Sequence, residues 1–227
     1  MIFKVKGIVA KTLAVLAVIS LIGSCCGDPP DPILYSVQAI TVSNFDLNTT
    51  EEINEDSIPI QFNNFGIFFK SSPTRIASNK IWWPSMVKTA NAAQCRFDQA
   101  YIPRYLVNDV EITTLNDFNS SFPAGADVLT LFDPYILKEN CVNAGGGFES
   151  CATLKTNDAS KQEIIRILND DFIASDFFNS ESPNRNNINI FKLKVQPEFE
   201  FQQFSVKITF DNGEQFIDTT AIVKIRP

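Results

Sequence analysis

The sequence predicts a mainly β fold, an antiparallel β-sandwich with one or two short helices. Three observations carry this. Near the C-terminus, Phe204, Val206, Ile208 and Phe210 alternate with Lys207 and Thr209, the period of a half-buried strand. Asp211-Asn212-Gly213-Glu214 follows, with residues that tolerate the positive φ of a tight hairpin turn, and Phe216 to Ile225 returns as the partner strand. Twenty phenylalanines against two methionines supply the aromatic packing favoured by sheets.

In chain order, Met1 to Lys11 carries Lys4, Lys6 and Lys11 and no acid, and Thr12 to Gly23 is almost wholly apolar. A basic start, a brief apolar core and small residues before a cut mark a secretory signal peptide, here 1–24. The core is too short for a spanning helix, which needs ~20 apolar residues. Residues 25–34 follow as anchor and tether, because Gly27-Asp28-Pro29-Pro30-Asp31-Pro32 has three prolines and two acids and reads as extended chain.

The domain proper is 35–227. Tyr35 to Phe45 reads as a strand, Thr49 to Asp56 as an acidic loop, and Ile58 to Lys70 as strand interrupted at Asn63-Asn64. Residues 71–103 are read as an irregular insertion holding Pro73, Trp82-Trp83-Pro84 and Cys95. Val110 to Leu115 is a short strand and Asp117 to Gly125 a turn region. Asp127 is placed to cap a helical turn carrying Val128, Leu129, Leu131 and Phe132. Ser160 and Glu163 match a capping box ahead of an apolar stripe of Ile164, Ile165, Ile167, Leu168 and Phe172. Asp170 and Asp171 oppose the helix dipole and are expected to end that helix. Asn189 to Val195 alternates again as a strand. A meander with one buried face needs a second layer, and an immunoglobulin-like sandwich is the expected solution.

Charge and residue usage narrow the function. The net charge is −7 with no histidine, and loss of the lysine-bearing signal peptide makes the remainder more acidic still. This argues against nucleic acid and polyanionic substrates. Without histidine the commonest general base and the commonest zinc ligand are missing, so the chain is read as non-enzymatic, with no cofactor and no metal.

Four motifs bear on chemistry. Ser85-Met86-Val87-Lys88 has the Ser-x-x-Lys spacing in which a lysine activates a serine, but the companion motifs are absent, leaving chance as the plainer reading. The carboxylate pairs Glu51-Glu52, Asp170-Asp171 and Glu198/Glu200 are enough in kind for a glycosidase, and are read first as solvated surface. Trp82 and Trp83, with Tyr101 and Tyr105 nearby, are the candidate ligand surface, an aromatic platform for sugar rings; filling the core is the competing role. Of the cysteines, Cys141 and Cys151 enclose Gly145-Gly146-Gly147 and are the expected disulfide, contributing roughly 2–3 kcal/mol. Cys26 and Cys95 are left without assigned partners, and Cys95 competes for either of the pair.

Leu21-Ile22-Gly23-Ser24-Cys25 resembles the lipobox of bacterial lipoproteins, in which an aliphatic and two small residues precede an acylated cysteine. The resemblance implies lipidation at Cys25, attaching the protein to a membrane through several acyl chains at ~0.8 kcal/mol per buried CH₂. Cys26 lacks the aliphatic position upstream. More widely, Cys25-Cys26-Gly27-Asp28-Pro29-Pro30, the Asp117-Phe118 … Phe122-Pro123-Ala124-Gly125 … Leu131-Phe132 passage and the hairpin Phe204 to Ile225 are similar to the uncharacterised surface lipoproteins of Bacteroidetes. That resemblance implies an outer-membrane location, since no aspartate directly follows Cys25, and leaves the activity open. Asp56-Ser57-Ile58 and Asp218-Thr219-Thr220 resemble the O-glycosylation sequon of those bacteria. The expected function is a non-catalytic binding or assembly module for a glycan, peptide or protein partner in the cell envelope. The alternative is a carboxylate-based hydrolase of envelope or dietary polymers.

Overall fold

Strand β4 (Phe65–Arg75) opens on Phe65-Gly66-Ile67-Phe68-Phe69, an unbroken apolar run, and such runs belong to strands covered on both faces. The computed structural model describes residues 33–53, 59–76, 101–138, 152–173 and 187–226. Chain contacts divide it into two units, Leu34–Ile76 with Pro103–Pro227, and Met1–Ile33 with Ala77–Ile102; nearly all of the second lies outside the described residues.

The elements in order are β1 (Ile33–Asp46), β2 (Glu51–Ile53), β3 (Ile60–Gln61), β4, β5 (Tyr101–Pro103), β6 (Val107–Thr114), β7 (Phe132–Lys138) and β8 (Ala152–Leu154). Helix α1 (Lys161–Ile167) follows, then β9 (Asn187–Leu193), β10 (Phe201–Gln202), β11 (Phe204–Phe210), β12 (Gln215–Thr219) and β13 (Val223–Arg226). The fold is mainly β and the pairing antiparallel, except where β13 runs parallel to β3. The largest sheet is ordered β2-β1-β4-β9-β7-β8; a second is β12-β11-β6 and a third β10-β13-β3.

Phe65, Ile67 and Phe69 project from one face of β4 and are fully buried. Over this face Phe204 of β11 stacks on Phe65 at 5.8 Å and meets Phe132 of β7 edge-on at 5.5 Å, joining the first two sheets. Beside them Phe172 packs on Phe69 at 5.9 Å and Phe191 at 5.5 Å, so the end of the helical segment closes the same face. The opposite face carries a second apolar cluster of Phe45, Leu47, Leu137 and Ile190. Gly66 makes that arrangement fit, because a Cβ there would stand 2.6 Å from Ile190 Cγ2.

The strand at Tyr35 to Phe45, the break at Asn63-Asn64 (a 3₁₀ turn over Phe62–Asn64) and the alternation of β11 match the sequence reading. The capping box does too: Ser160 Oγ accepts from Glu163 N–H at 3.3 Å and Glu163 Oε2 accepts from Ser160 N–H at 2.9 Å. One α-helix is present among the described residues.

Several expectations are corrected. The acidic loop Thr49 to Asp56 contains β2, whose Glu51–Ile53 pair with Asp46–Asn44. The insertion expected at 71–103 loses both ends to regular structure, Ser71 to Arg75 to β4 and Tyr101–Pro103 to β5; residues 77–100 lie outside the described residues. Asp127 accepts from Leu129 N–H at 3.0 Å one residue ahead of the N-cap, Val128, and the turn that follows is a single 3₁₀ turn, Leu129–Leu131, with Phe132 already beginning β7. The helix does not stop at Asp170-Asp171: it widens into a π turn over Leu168–Phe172, because ion pairs Arg166–Asp170 at 3.4 Å and Lys155–Asp171 at 2.9 Å offset the dipole, and burial of Phe172 rewards the extra turn.

The terminal hairpin departs most. Only Gly213 adopts positive φ (+84°), closing a turn in which its N–H donates to Phe210 O at 2.9 Å. The return from Phe216 to Ile225 is two strands. β12 pairs with β11 through Thr219, the chain breaks at Thr220–Ile222, and β13 crosses to the third sheet. The buried Thr220 makes the corner, its hydroxyl accepting from Phe204 N–H at 3.1 Å and its own N–H donating to Phe204 O at 2.9 Å.

Candidate functional site

Most residues singled out from the sequence lie outside the described residues: Cys25, Cys26, Cys95, the Cys141–Cys151 pair, Trp82 and Trp83, Ser85 to Lys88, and the sequon Asp56-Ser57-Ile58. Tyr105 is described and half-buried, with the Arg104 guanidinium 5.1 Å from its ring centroid. Of the second sequon, Thr219 is exposed at the end of β12, while Asp218 accepts from Val42 N–H at 2.8 Å and Thr219 N–H at 2.9 Å.

Two of the three carboxylate pairs have structural duties. Glu52 accepts from Ser43 Oγ at 2.9 Å, and Asp170 and Asp171 form the ion pairs of the π turn. Near them, burial and then the Asp170 carboxylate push the Tyr35 hydroxyl up to about 12, so it remains protonated.

Glu198/Glu200 is different, because it lines a groove. The segment after β9 runs Val195-Gln196-Pro197-Glu198-Phe199-Glu200-Phe201, and its proline cannot donate to a sheet ladder. The chain instead passes along the end of the second sheet, anchored by Glu198 N–H to Phe118 O at 2.9 Å and by the buried Gln202, whose Nε2 donates to Asp117 O at 3.1 Å and Phe199 O at 2.7 Å. Between this segment and Asn116-Asp117 lies an open groove of about 470 Å³, lined by Asn116, Asp117, Glu198, Phe199, Glu200 and Phe201.

Its chemistry combines two apolar rings with three acids. Phe199 and Phe201 are each 51% exposed, unusual for a residue type that supplies eight of the largest fully buried side chains here. Asp117 Oδ1 accepts from Ala124 N–H at 2.8 Å, Glu198 Oε2 from Ser120 N–H at 3.3 Å, and Asn116 Nδ2 donates to Phe201 O at 3.3 Å. Glu200 is paired with Lys224 Nζ at 2.7 Å, and that hydrogen bond holds its carboxyl below the usual range. A general acid needs the opposite shift, so Glu200 is suited to holding charge rather than donating a proton.

Sequence reasoning found the two glutamates and missed the rings beside them. The available signal was an acid–aromatic alternation following a proline, where no strand period demanded burial. Asn116 and Asp117 arrive from a turn some eighty residues earlier, and no local pattern links them to it. Among the described residues no group of three or more histidine, cysteine or acidic side chains is placed to hold a metal ion, and no helix is long and apolar enough to cross a membrane. No family model, curated protein or solved structure matches the chain.

Proposed function

We propose that the protein is a lipid-anchored component of the bacterial outer membrane, held through Cys25, that acts as a non-catalytic binding or assembly module. Its contact surface is the groove lined by Asn116, Asp117, Glu198, Phe199, Glu200 and Phe201. The observation that carries the binding reading is the pair of half-exposed phenylalanines over carboxylate and amide groups: rings supply apolar contact, and the polar groups orient what lies on them. The anchor rests on the lipobox-like run Leu21 to Cys25, and membership of the Bacteroidetes lipoproteins on the passages quoted above. An immunoglobulin-like arrangement of the sandwich belongs to the same proposal, supported by Phe204 packing between the first two sheets.

The test is a glycan and peptide array probed with the full chain and with a Phe199→Ala/Phe201→Ala double variant. Binding by the parent that the variant loses, at an unchanged unfolding midpoint, is the expected result. Equal binding by both, or none by the parent, removes the groove from the account. Release of reducing sugar by the parent chain, abolished by Glu198→Gln, would replace binding with hydrolysis. For the anchor, a clickable fatty acid fed to an expressing bacterium should label the parent chain and fail to label Cys25→Ser.

A further inference from the structure

The groove segment repeats a dipeptide, Glu198-Phe199 then Glu200-Phe201, and one copy already holds a cation. Lys224 sits opposite Phe201 in the β10–β13 register, and its Nζ lies 2.7 Å from Glu200 Oε2 and 5.3 Å from the Phe201 ring centroid. A carboxylate and an aromatic face together thus bind an ammonium here, the first by charge and the second through its quadrupole.

The other copy offers the same two groups without a cation. Among the described residues Glu198 has no ion-pair partner, and its carboxylate accepts one long hydrogen bond from Ser120 N–H at 3.3 Å. Phe199 is 51% exposed, with no ring or cation against it among the described residues. Asp117, across the groove, adds negative potential, and so does the net charge of −7. Resting on the binding reading of this groove, we infer that Glu198 and Phe199 receive a lysine ammonium from a peptide partner. The site fits a lysine better than a small amine, because about 470 Å³ exceeds what an ammonium fills and the exposed phenyl suits a four-carbon stem.

The test is calorimetric titration of the full chain with N-acetylated, C-amidated pentalysine, with the same peptide acetylated on every Nζ, and with a neutral oligosaccharide. Pentalysine should bind and its acetylated form should not. Glu198→Gln and Phe199→Leu should each weaken it about five-fold or more, the scale of one lost charge or cation–π contact. Glu51→Gln, an exposed acid on β2, should leave it unchanged. Equal weakening by Glu51→Gln, or none by either groove variant, means diffuse charge attraction and overturns the inference. If the neutral sugar binds in a Phe199-dependent way and pentalysine does not, the lysine assignment fails while the groove stands. If no probe binds, both fail.

Discussion

The side chain of Asn169 completes the backbone of Val107: its Oδ1 accepts from Val107 N–H at 2.8 Å and its Nδ2 donates to Val107 O at 3.2 Å. β6 is the outer strand of its sheet, and the asparagine supplies the donor and acceptor that a neighbouring strand would. With the Lys161–Asp109 ion pair at 2.7 Å, it fastens the helical segment to that edge. Asn169→Ala should therefore lower stability by about 1–3 kcal/mol, since it leaves two backbone groups of a buried residue unpaired. Urea unfolding checks the cost, and faster hydrogen exchange at the Val107 amide checks the cause.

Gly66 leaves room for Ile190 of β9 to pack against β4. Gly66→Ala would drive a methyl into Ile190 Cγ2, 2.6 Å from the new Cβ, and against Phe191 O at 3.3 Å. A loss of about 1–3 kcal/mol is expected from this overpacking. Combining it with Ile190→Ala should cost less than the two separate losses together, because the truncated neighbour leaves room. Strict additivity in that double-mutant cycle would place the strain elsewhere.

Thr50 adopts φ +59° in the turn between β1 and β2, a region that β-branched side chains disfavour. Its N–H donates to Asp46 O at 2.7 Å, which keeps the turn closed. Thr50→Gly removes the strain and keeps that bond, so stability should rise by up to ~1 kcal/mol after the extra chain entropy of glycine. A lower thermal midpoint would contradict this.

Lys194 lies between Asp133 and Asp158, at 3.1 Å from each. Burial acts to lower its pKa, but the hydrogen bonds and charges of the two aspartates outweigh it and hold the ammonium above the ordinary 10.5. A raised folded-state value stabilises the fold below the unfolded pKa, and the contribution disappears as pH rises through the folded value. The window is therefore alkaline, from about 10.5 upward. Lys194→Met should flatten the fall in unfolding free energy above that pH; an unchanged alkaline limb would show that Lys194 is not its source.

Elements whose pattern is local were legible in the chain. The alternation Phe204 to Phe210 became a strand with its apolar residues inside, and Ser160 with Glu163 capped the helix as their spacing requires. β2 was hidden because Glu51-Glu52-Ile53 is too short to show a period, and its pairing with Asn44–Asp46 comes from the turn at Thr50 rather than from propensity. β7 was hidden behind Pro134, which argues against a central strand; there the missing donor is tolerated, while Pro134 O still accepts from Lys155 N–H at 3.0 Å. Of the candidate site, Glu198 and Glu200 could be noted as acids, but their company could not be foreseen.

By itself the sequence determined the β character of the domain, the faces of its regular strands and the cap of its helix, because these depend on neighbours two to four residues away. The tertiary structure decided what distant segments do together. It sent β13 away from β12 to a parallel pairing with β3, since Thr220 bonds back to Phe204 and turns the chain. It tied Asp218 to the Val42 N–H across the fold, and it brought Asn116 and Asp117 against Glu198 to Phe201. Such contacts depend on how sheets stack, which no local period encodes.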